Sequence, residues 1–186
     1  MQPVGLLMIE HRLVDHMLKL MTEEIDRIGR YGRVDSDFID DAVDFMRTYT
    51  DLCHHGKEEQ ILFRELDKKP LSEEMRKTLN ELVQEHVFAR KTVESIEAAS
   101  ERYITGEKNA PADIVSSLNI IIEFYPRHVY KEEKHFFVPA MDYFSNEEKD
   151  RMVKAFEDFD ARLIHEKYKK MVSGLEGRFT PAAPMH

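Results

Sequence analysis

Residues 54–63 read HHGKEEQILF, and residues 128–137 read HVYKEEKHFF. Each stretch carries a histidine followed four residues later by a glutamate: His54 with Glu58, and His128 with Glu132. Side chains at positions i and i+4 of a helix lie on one face, one turn apart. Each pair can therefore present a nitrogen and a carboxylate to the same point, and the pattern predicts two chelating helices.

The repeat extends beyond these two stretches. The dipeptide Glu10-His11 in the first half of the chain corresponds to Glu85-His86 in the second half. Each half therefore contributes one lone histidine and one His-x-x-x-Glu pair, and two helix pairs of the same design are expected.

Hydrophobic periodicity predicts the fold class. Apolar residues recur at intervals of three and four, the period of amphipathic helices, in five stretches at about 4–28, 38–66, 73–103, 112–140 and 145–172. The expected fold is all-α, an up-down four-helix bundle with an additional C-terminal fifth helix. Ser72 is expected to cap the third helix, and Ser145 with Glu148 forms a capping box for the fifth.

The same pattern predicts the domain organisation. Residues 1–141 are expected to form the metal-binding bundle, residues 142–173 a helix packed on it, and residues 174–186 a flexible tail rich in proline and alanine.

Charge and composition exclude several classes of function. The chain has 36 acidic and 27 basic residues, and its net charge of -9 would repel nucleic acid and anionic membranes. No apolar run reaches the roughly 18 residues that a membrane span needs. The single cysteine, Cys53, cannot close an intrachain disulfide, and no signal peptide is recognisable, so a soluble cytoplasmic protein is expected.

The buried stripes of the first four helices carry unusual polar residues, which are His11, His54, Glu58, His86, His128 and Glu132. Unpaired polar or charged groups in a helical core are costly, and a metal would remove that cost. Nitrogen and oxygen donors without thiolate suit iron, manganese or zinc. Six side chains exceed the four ligands of a structural zinc site, so we expect a dinuclear site bridged by Glu58 and Glu132.

Three other histidines need separate treatment. His55 lies about 100° around an α-helix from His54, so at most one of the two is expected to face the shared point. His54 is preferred over His55 because only His54 aligns with His128 in the repeat. His16 is expected on the surface. His135 completes a Glu-x-x-His motif of the ferritin-like type, but the second helix has Ile61 at the matching position, which argues against that family.

Two further side chains are candidates for supporting roles. Asp51, one turn before His54, is a candidate to hold its imidazole N–H. His165 is either an additional ligand or a surface residue.

The segments around the six polar residues resemble the hemerythrin-like (HHE cation-binding) proteins, whose pattern is His, His-x-x-x-Glu, His, His-x-x-x-Glu. The resemblance covers residues 5–141. It implies a four-helix bundle with a non-haem di-iron centre, its two iron ions bridged by carboxylate and by an oxo or hydroxo group. It also implies reaction with a small diatomic ligand or peroxide, such as dioxygen, hydrogen peroxide or nitric oxide.

Two positions depart from the oxygen-carrying members of this family. Those proteins have a second histidine one turn after the third-helix ligand and an aspartate on the fourth helix, where this chain has Arg90 and Glu132. The arrangement looks more like the branch that includes iron-centre repair proteins and redox-active relatives.

Three functions follow as alternatives. The chain is expected to bind or react with a small oxidant for sensing, storage or detoxification, to repair or deliver iron centres, or to act as a peroxidase-like, catalase-like or nitric oxide-reducing enzyme. Zinc or manganese remain alternatives to iron, and the sequence leaves the oligomeric state open.

Overall fold

A computed structural model describes residues 2–160 and 162–179, without the side chains of residues 162–166 and 179. Within this part of the chain the fold is all-helical and contains no strand, which confirms the expected class. The helices are α1 (Pro3–Tyr31), α2 (residues 36–66), α3 (Glu73–Ile104), α4 (residues 110–141), α5 (Asn146–Phe159) and α6 (Arg162–Phe179).

The helix ends follow ordinary capping chemistry. Gly32 ends α1 in the left-handed region, at φ 66°, where a residue without a side chain is favoured. Ser72 accepts a hydrogen bond from the backbone N–H of Met75. Ser145 and Glu148 form the reciprocal capping box that the sequence predicts.

Two of the helices widen where they carry the His-x-x-x-Glu pairs. In α2 the segments Phe45–His55 and Glu58–Phe63 are π-helical, and in α4 the segment Glu132–Phe136 is. The N–H of Gly56, for example, donates to the carbonyl oxygen of Asp51, five residues earlier. A π-turn holds more residues than an α-turn, so consecutive side chains lie less than 100° apart around the axis.

Two apolar clusters fill the interior, and the polar residues lie between them. The Leu7 cluster contains residues from α1 to α5, among them Leu7, Leu62, Leu82, Phe136 and Phe156. The Met17 cluster contains residues from α1 to α4 and α6, among them Met17, Phe45, Val93, Ile121 and Tyr168. The six predicted ligands therefore form a polar layer between two apolar layers.

Successive helices pass through these clusters in opposite order. Helices α1 and α3 run from the Leu7 cluster to the Met17 cluster, whereas α2 and α4 run from the Met17 cluster to the Leu7 cluster. Helix α4 packs against α1 and α3, and α3 packs against α2. Each of the four helices thus crosses the polar layer once.

The prediction of a single fifth helix was wrong. The helix breaks at Asp160, whose backbone is extended (φ -81°, ψ 103°) and whose carboxylate contacts the ammonium group of the buried Lys57. Next to it, the ring of Phe159 lies so close to Gly56 that a Cβ there would be 2.9 Å from its Cζ atom. The apolar period of the sequence continues through residue 160, so the sequence gives no local sign of the break.

The predicted start of the tail also differs. Helix α6 extends to Phe179, so residues 174–179 are helical, and Leu175 is buried in the Met17 cluster. Residues 180–186 lie outside the described part of the chain, and the domain division stays a prediction.

No helix among the described residues is both long enough and apolar enough to cross a lipid bilayer.

Candidate metal centre

The structure brings the six predicted side chains together in the polar layer, and all six are buried. His11, His54, Glu58 and Glu132 form one group, in which one candidate ligand atom of each residue lies within 4.8 Å of the others. His86 and His128 belong to a second group of the same kind. The layer therefore contains two adjoining clusters of nitrogen and oxygen donors.

The two glutamates connect these groups. Glu58 has one oxygen 3.6 Å from His54 Nε2 and the other 3.3 Å from His86 Nε2. Glu132 has one oxygen 3.1 Å from His11 Nε2 and the other 3.2 Å from His128 Nε2. Each carboxylate faces an imidazole of both groups, as a ligand bridging two cations would.

The donor atoms at the centre are buried and poorly satisfied. Both carboxylate oxygens of Glu58 and of Glu132, and Nε2 of His86 and of His128, have no hydrogen-bond partner of acceptable geometry. Each unsatisfied buried polar atom costs about 1–3 kcal/mol. Cations bound at these atoms would offset that cost, so the donor set fits a metal centre.

An outer layer of carboxylates orients the imidazoles. The contacts to Nδ1 are Glu133 to His11 (3.0 Å), Glu10 to His54 (2.8 Å), Glu59 to His86 (2.7 Å) and Glu85 to His128 (2.8 Å). Each of these contacts turns Nδ1 outward and Nε2 towards the centre, so Nε2 is the nitrogen that a bound cation would meet.

These carboxylates form a closed cycle around the bundle. Helix α1 supports the imidazole of α2, α2 supports that of α3, α3 supports that of α4, and α4 supports that of α1. This cycle was not predicted from the sequence. The signal was present, because each outer glutamate is the chain neighbour of a predicted ligand, as in Glu10-His11 and Glu58-Glu59.

His55 lies in the polar layer together with His54, and the prediction that at most one of the two faces it was wrong. It is 1% exposed and joins His86 and His128 in the second group of donors. The prediction assumed α-helical geometry, whereas His54 and His55 end a π-helical segment that turns both side chains inward. Asp51, assigned to His54 in the sequence analysis, instead contacts Nδ1 of His55 at 3.2 Å.

The remaining histidines lie outside the centre where the structure describes them. His16 is exposed and contacts Glu176 at 2.9 Å, and His135 is exposed beside Tyr130. The side chain of His165 lies outside the described residues, so its assignment stays open. Arg90, at the position of departure from the oxygen carriers, contacts Asp51 and Glu59, each at 2.8 Å.

Without a metal, protons take the place of cations in this layer. Burial alone would lower the pKa of His11, but its contacts with Glu132 and Glu133 outweigh burial and raise the pKa to about 10. Burial and the charge of Glu132 raise the pKa of Glu58 well above its ordinary value. Burial lowers the pKa of His54 to about 4. A metal bound here would release the proton of His11 and favour the ionised form of Glu58.

A small cavity adjoins the centre. It has a volume of about 140 Å³, lies between α2, α3 and α4, and its wall includes Asp51, His55, Arg90 and Tyr125. A molecule of two or three atoms fits in this space next to the buried imidazoles.

Comparison with known proteins agrees with the geometry. The chain matches no curated protein and no solved structure. A family model, described as the hemerythrin HHE cation binding domain, matches residues 2–138 and so includes all six predicted ligands. This chain is a member of the hemerythrin HHE cation-binding family.

Proposed function

We propose that this chain binds two iron ions between α1, α2, α3 and α4, and that it binds or reacts with a small oxidant at them. The oxidant would be dioxygen, a peroxide or nitric oxide, and the role would be sensing, storage or detoxification. The observation that carries the proposal is the pair of buried donor groups joined by Glu58 and Glu132, whose oxygens face imidazole nitrogens without a hydrogen bond of acceptable geometry.

The proposal includes the arrangement of the helices. We infer an up-down four-helix bundle for α1 to α4, supported by the opposite order in which successive helices pass through the two apolar clusters. In such a bundle each helix contributes at least one imidazole to the same layer, as carboxylate-bridged metal sites in bundles require.

The chemistry of the donors supports iron. Neutral imidazoles and carboxylates, with no thiolate in either group, suit iron in its ferrous and ferric states. When bound, such an iron pair supplies electrons to a small oxidant. The protein's part is to exclude bulk water with the two apolar clusters and to hold each Nε2 lone pair inward through the outer carboxylates.

The size of the cavity supports a small reactant. A space of about 140 Å³ next to His55 and Tyr125 accepts a diatomic molecule or a peroxide. It is smaller than the pockets of about 300–1,000 Å³ that bind organic ligands of ordinary size.

Metal analysis tests the first part of this proposal. The chain is loaded anaerobically with ferrous iron, desalted and analysed for metal per chain. The matched control is His16→Ala, because His16 is exposed, contacts Glu176 and belongs to neither donor group. We expect two irons per chain in both proteins. One metal or none would contradict the proposal, and preferential retention of zinc or manganese from a mixture would contradict the assignment of iron.

Absorption spectra recorded after air, peroxide or nitric oxide is added to the ferrous protein test the second part. A stable spectrum that reverses on removal of the oxidant indicates a binding or sensing protein. Repeated consumption of one oxidant indicates the enzymatic alternative. Loss of iron to a chelator with no response to any oxidant would overturn the oxidant role and favour iron delivery.

A further inference from the structure

We propose that His55 is a seventh protein ligand of this centre, which would complete a set of three imidazoles with His86 and His128. This inference rests on the proposed function, because it concerns the same pair of metal ions. The two metal positions would then differ. One would have three imidazoles, and the other would have the two imidazoles of His11 and His54.

The first support is the orientation of the His55 ring. Its Nδ1 contacts the carboxylate of Asp51 at 3.2 Å, and its Nε2 is buried with no hydrogen-bond partner of acceptable geometry. The other four imidazoles share this design, with Nδ1 on an outer carboxylate and Nε2 turned inward. A histidine that serves only packing has no need of an inward lone pair without a partner.

The second support is the position of the ring. His55 stacks on His86 with the ring centroids 3.9 Å apart and the planes 10° apart, and it stands at 83° to the ring of His128. One nitrogen from each of the three residues lies within 4.8 Å of the others. The three imidazole nitrogens therefore lie close together. Because a nitrogen lone pair lies in the plane of its ring, one of the two stacked rings turns out of the stack when His55 and His86 bind the same cation.

The third support comes from the internal repeat. The residue equivalent to His55 in the second half of the chain is Val129, and the residue equivalent to Asp51 is Tyr125. The imidazole and its supporting carboxylate thus occur together in α2 and are both replaced in α4. The six predicted ligands obey the repeat, and this additional pair is what makes the two halves of the centre unequal.

The cavity described above gives the inference a direct test. It reaches the His55 ring, so an imidazole molecule supplied in solution can occupy the space that a shortened side chain leaves. We compare the wild-type protein, His55→Ala and the control Val129→Ala, which shortens the equivalent side chain of α4. Each is loaded with ⁵⁷Fe and examined by Mössbauer spectroscopy and by titration of the second metal equivalent.

We expect two different iron signals of equal intensity in the wild-type protein and in Val129→Ala. In His55→Ala one signal should change while the other stays, and the second iron should bind at least about tenfold more weakly, since even outer carboxylates of metal sites contribute that much. Added ¹⁵N-imidazole should restore the affinity, and pulsed EPR of the mixed-valent protein should detect ¹⁵N coupled to iron. If His55→Ala does not fold, His55→Gln keeps a side chain of similar size.

Two unfavourable outcomes are distinguishable. If the wild-type protein fails to bind two irons, the proposed function fails and this inference fails with it. If the wild-type protein binds two irons while His55→Ala and His55→Gln give both signals and both affinities unchanged, the proposed function stands and His55 is a packing residue.

Discussion

Glu58 and Glu132 occupy equivalent positions in the two halves of the chain, yet their surroundings differ. Burial by itself would raise the pKa of both carboxyl groups. At Glu58 the neighbouring charge of Glu132 raises the pKa further. The charge of His128 and contacts with His11 and His86 outweigh burial at Glu132 and hold its pKa well below the ordinary value. The two carboxyl groups therefore shift in opposite directions although the repeat makes them equivalent, and two bound cations would favour the ionised form of both.

Replacing either bridge should release both metals together. Glu58→Gln and Glu132→Gln keep the shape of the side chain and remove its charge, so each metal loses one shared anionic ligand. We expect the affinity for both irons to fall by at least about 100-fold, the upper end of the effect of outer carboxylates. Elemental analysis after dialysis measures the loss, with His16→Ala retaining the wild-type content. Two irons per chain in both glutamine variants would show that these residues do not bridge.

The metal-free protein should become less stable at alkaline pH, because His11 then loses the proton that it holds in the folded state. The pKa of His11 is about 10 in the folded protein and near 6.5 when unfolded. Its contribution to the free energy of unfolding is therefore complete below pH 6.5, decreases as the pH rises and is lost above about pH 10. Urea unfolding at pH 7, 8, 9 and 10 should show a loss of a few kcal/mol.

The variant His11→Gln removes this proton, whereas Glu58, whose raised pKa also makes stability fall as the pH rises, is present in both proteins. We expect a smaller alkaline loss in His11→Gln than in the wild-type protein. Parallel curves for the two proteins would show that His11 holds no proton in the folded, metal-free state.

The candidate ligands whose positions follow from local spacing could be predicted from the sequence. His54 with Glu58 and His128 with Glu132 stand out because their spacing alone places them on one helix face. His55 could not be placed, because the spacing implies an α-helix and the chain forms a π-helix there. The role of Glu10 could not be assigned, because it depends on which helix lies next to which. Asp51 was assigned to His54 but contacts His55, one turn further along the same helix, because the π-helical geometry changes which side chains meet.

At the scale of helices, the break between α5 and α6 distinguishes the two halves of the bundle. Helices α5 and α6 pack on α1 and α2, and the break places Asp160 against Lys57. Lys57 is fully buried and also contacts Glu10, the carboxylate that supports His54. Its repeat equivalent, Lys131, contacts Glu85 in the same way but has a side chain 28% exposed. One outer network is thus covered by helices and the other faces solvent.

This difference predicts unequal effects of two matched substitutions. Lys57→Met leaves the carboxylates of Glu10 and Asp160 in a buried site without this ammonium group, so we expect a loss of about 3–5 kcal/mol in the free energy of unfolding. Lys131→Met removes an ion pair that water partly screens, so we expect a loss of about 1 kcal/mol or less. Urea unfolding of the two metal-free variants measures both losses, and equal losses would show that α5 and α6 do not isolate Lys57 from solvent.

At the scale of the whole molecule, the polar layer lies between two apolar clusters that each include residues of α1, α2, α3 and α4. The sequence predicts the four helices and their common polar layer, because hydrophobic period and repeat are local properties. It does not predict the two outer helices correctly, because Tyr168, Val172 and Leu175 reach the Met17 cluster only after the turn at Asp160. The position of that turn depends on the distant Lys57.

This layered arrangement determines what metal removal should do. Since both apolar clusters tie the four helices together without the centre, the metal-free chain should keep its helical circular dichroism. It should still lose stability, because ligand at about 100 times its dissociation constant adds about 2.7 kcal/mol to the native state. For a chain of this length, that loss corresponds to a fall of about 5–10 °C in Tm.

The measurement is a thermal melt before and after a chelator removes iron under reducing conditions, followed by addition of ferrous iron. The wild-type Tm should fall and recover, and the Tm of Glu58→Gln should respond little to either step. Loss of the helical signal on chelation would show that the two clusters cannot hold the bundle without metal. An unchanged wild-type Tm would show that iron gives the native state no stability, and it would remove the thermodynamic reason for burying the unsatisfied oxygens of Glu58 and Glu132.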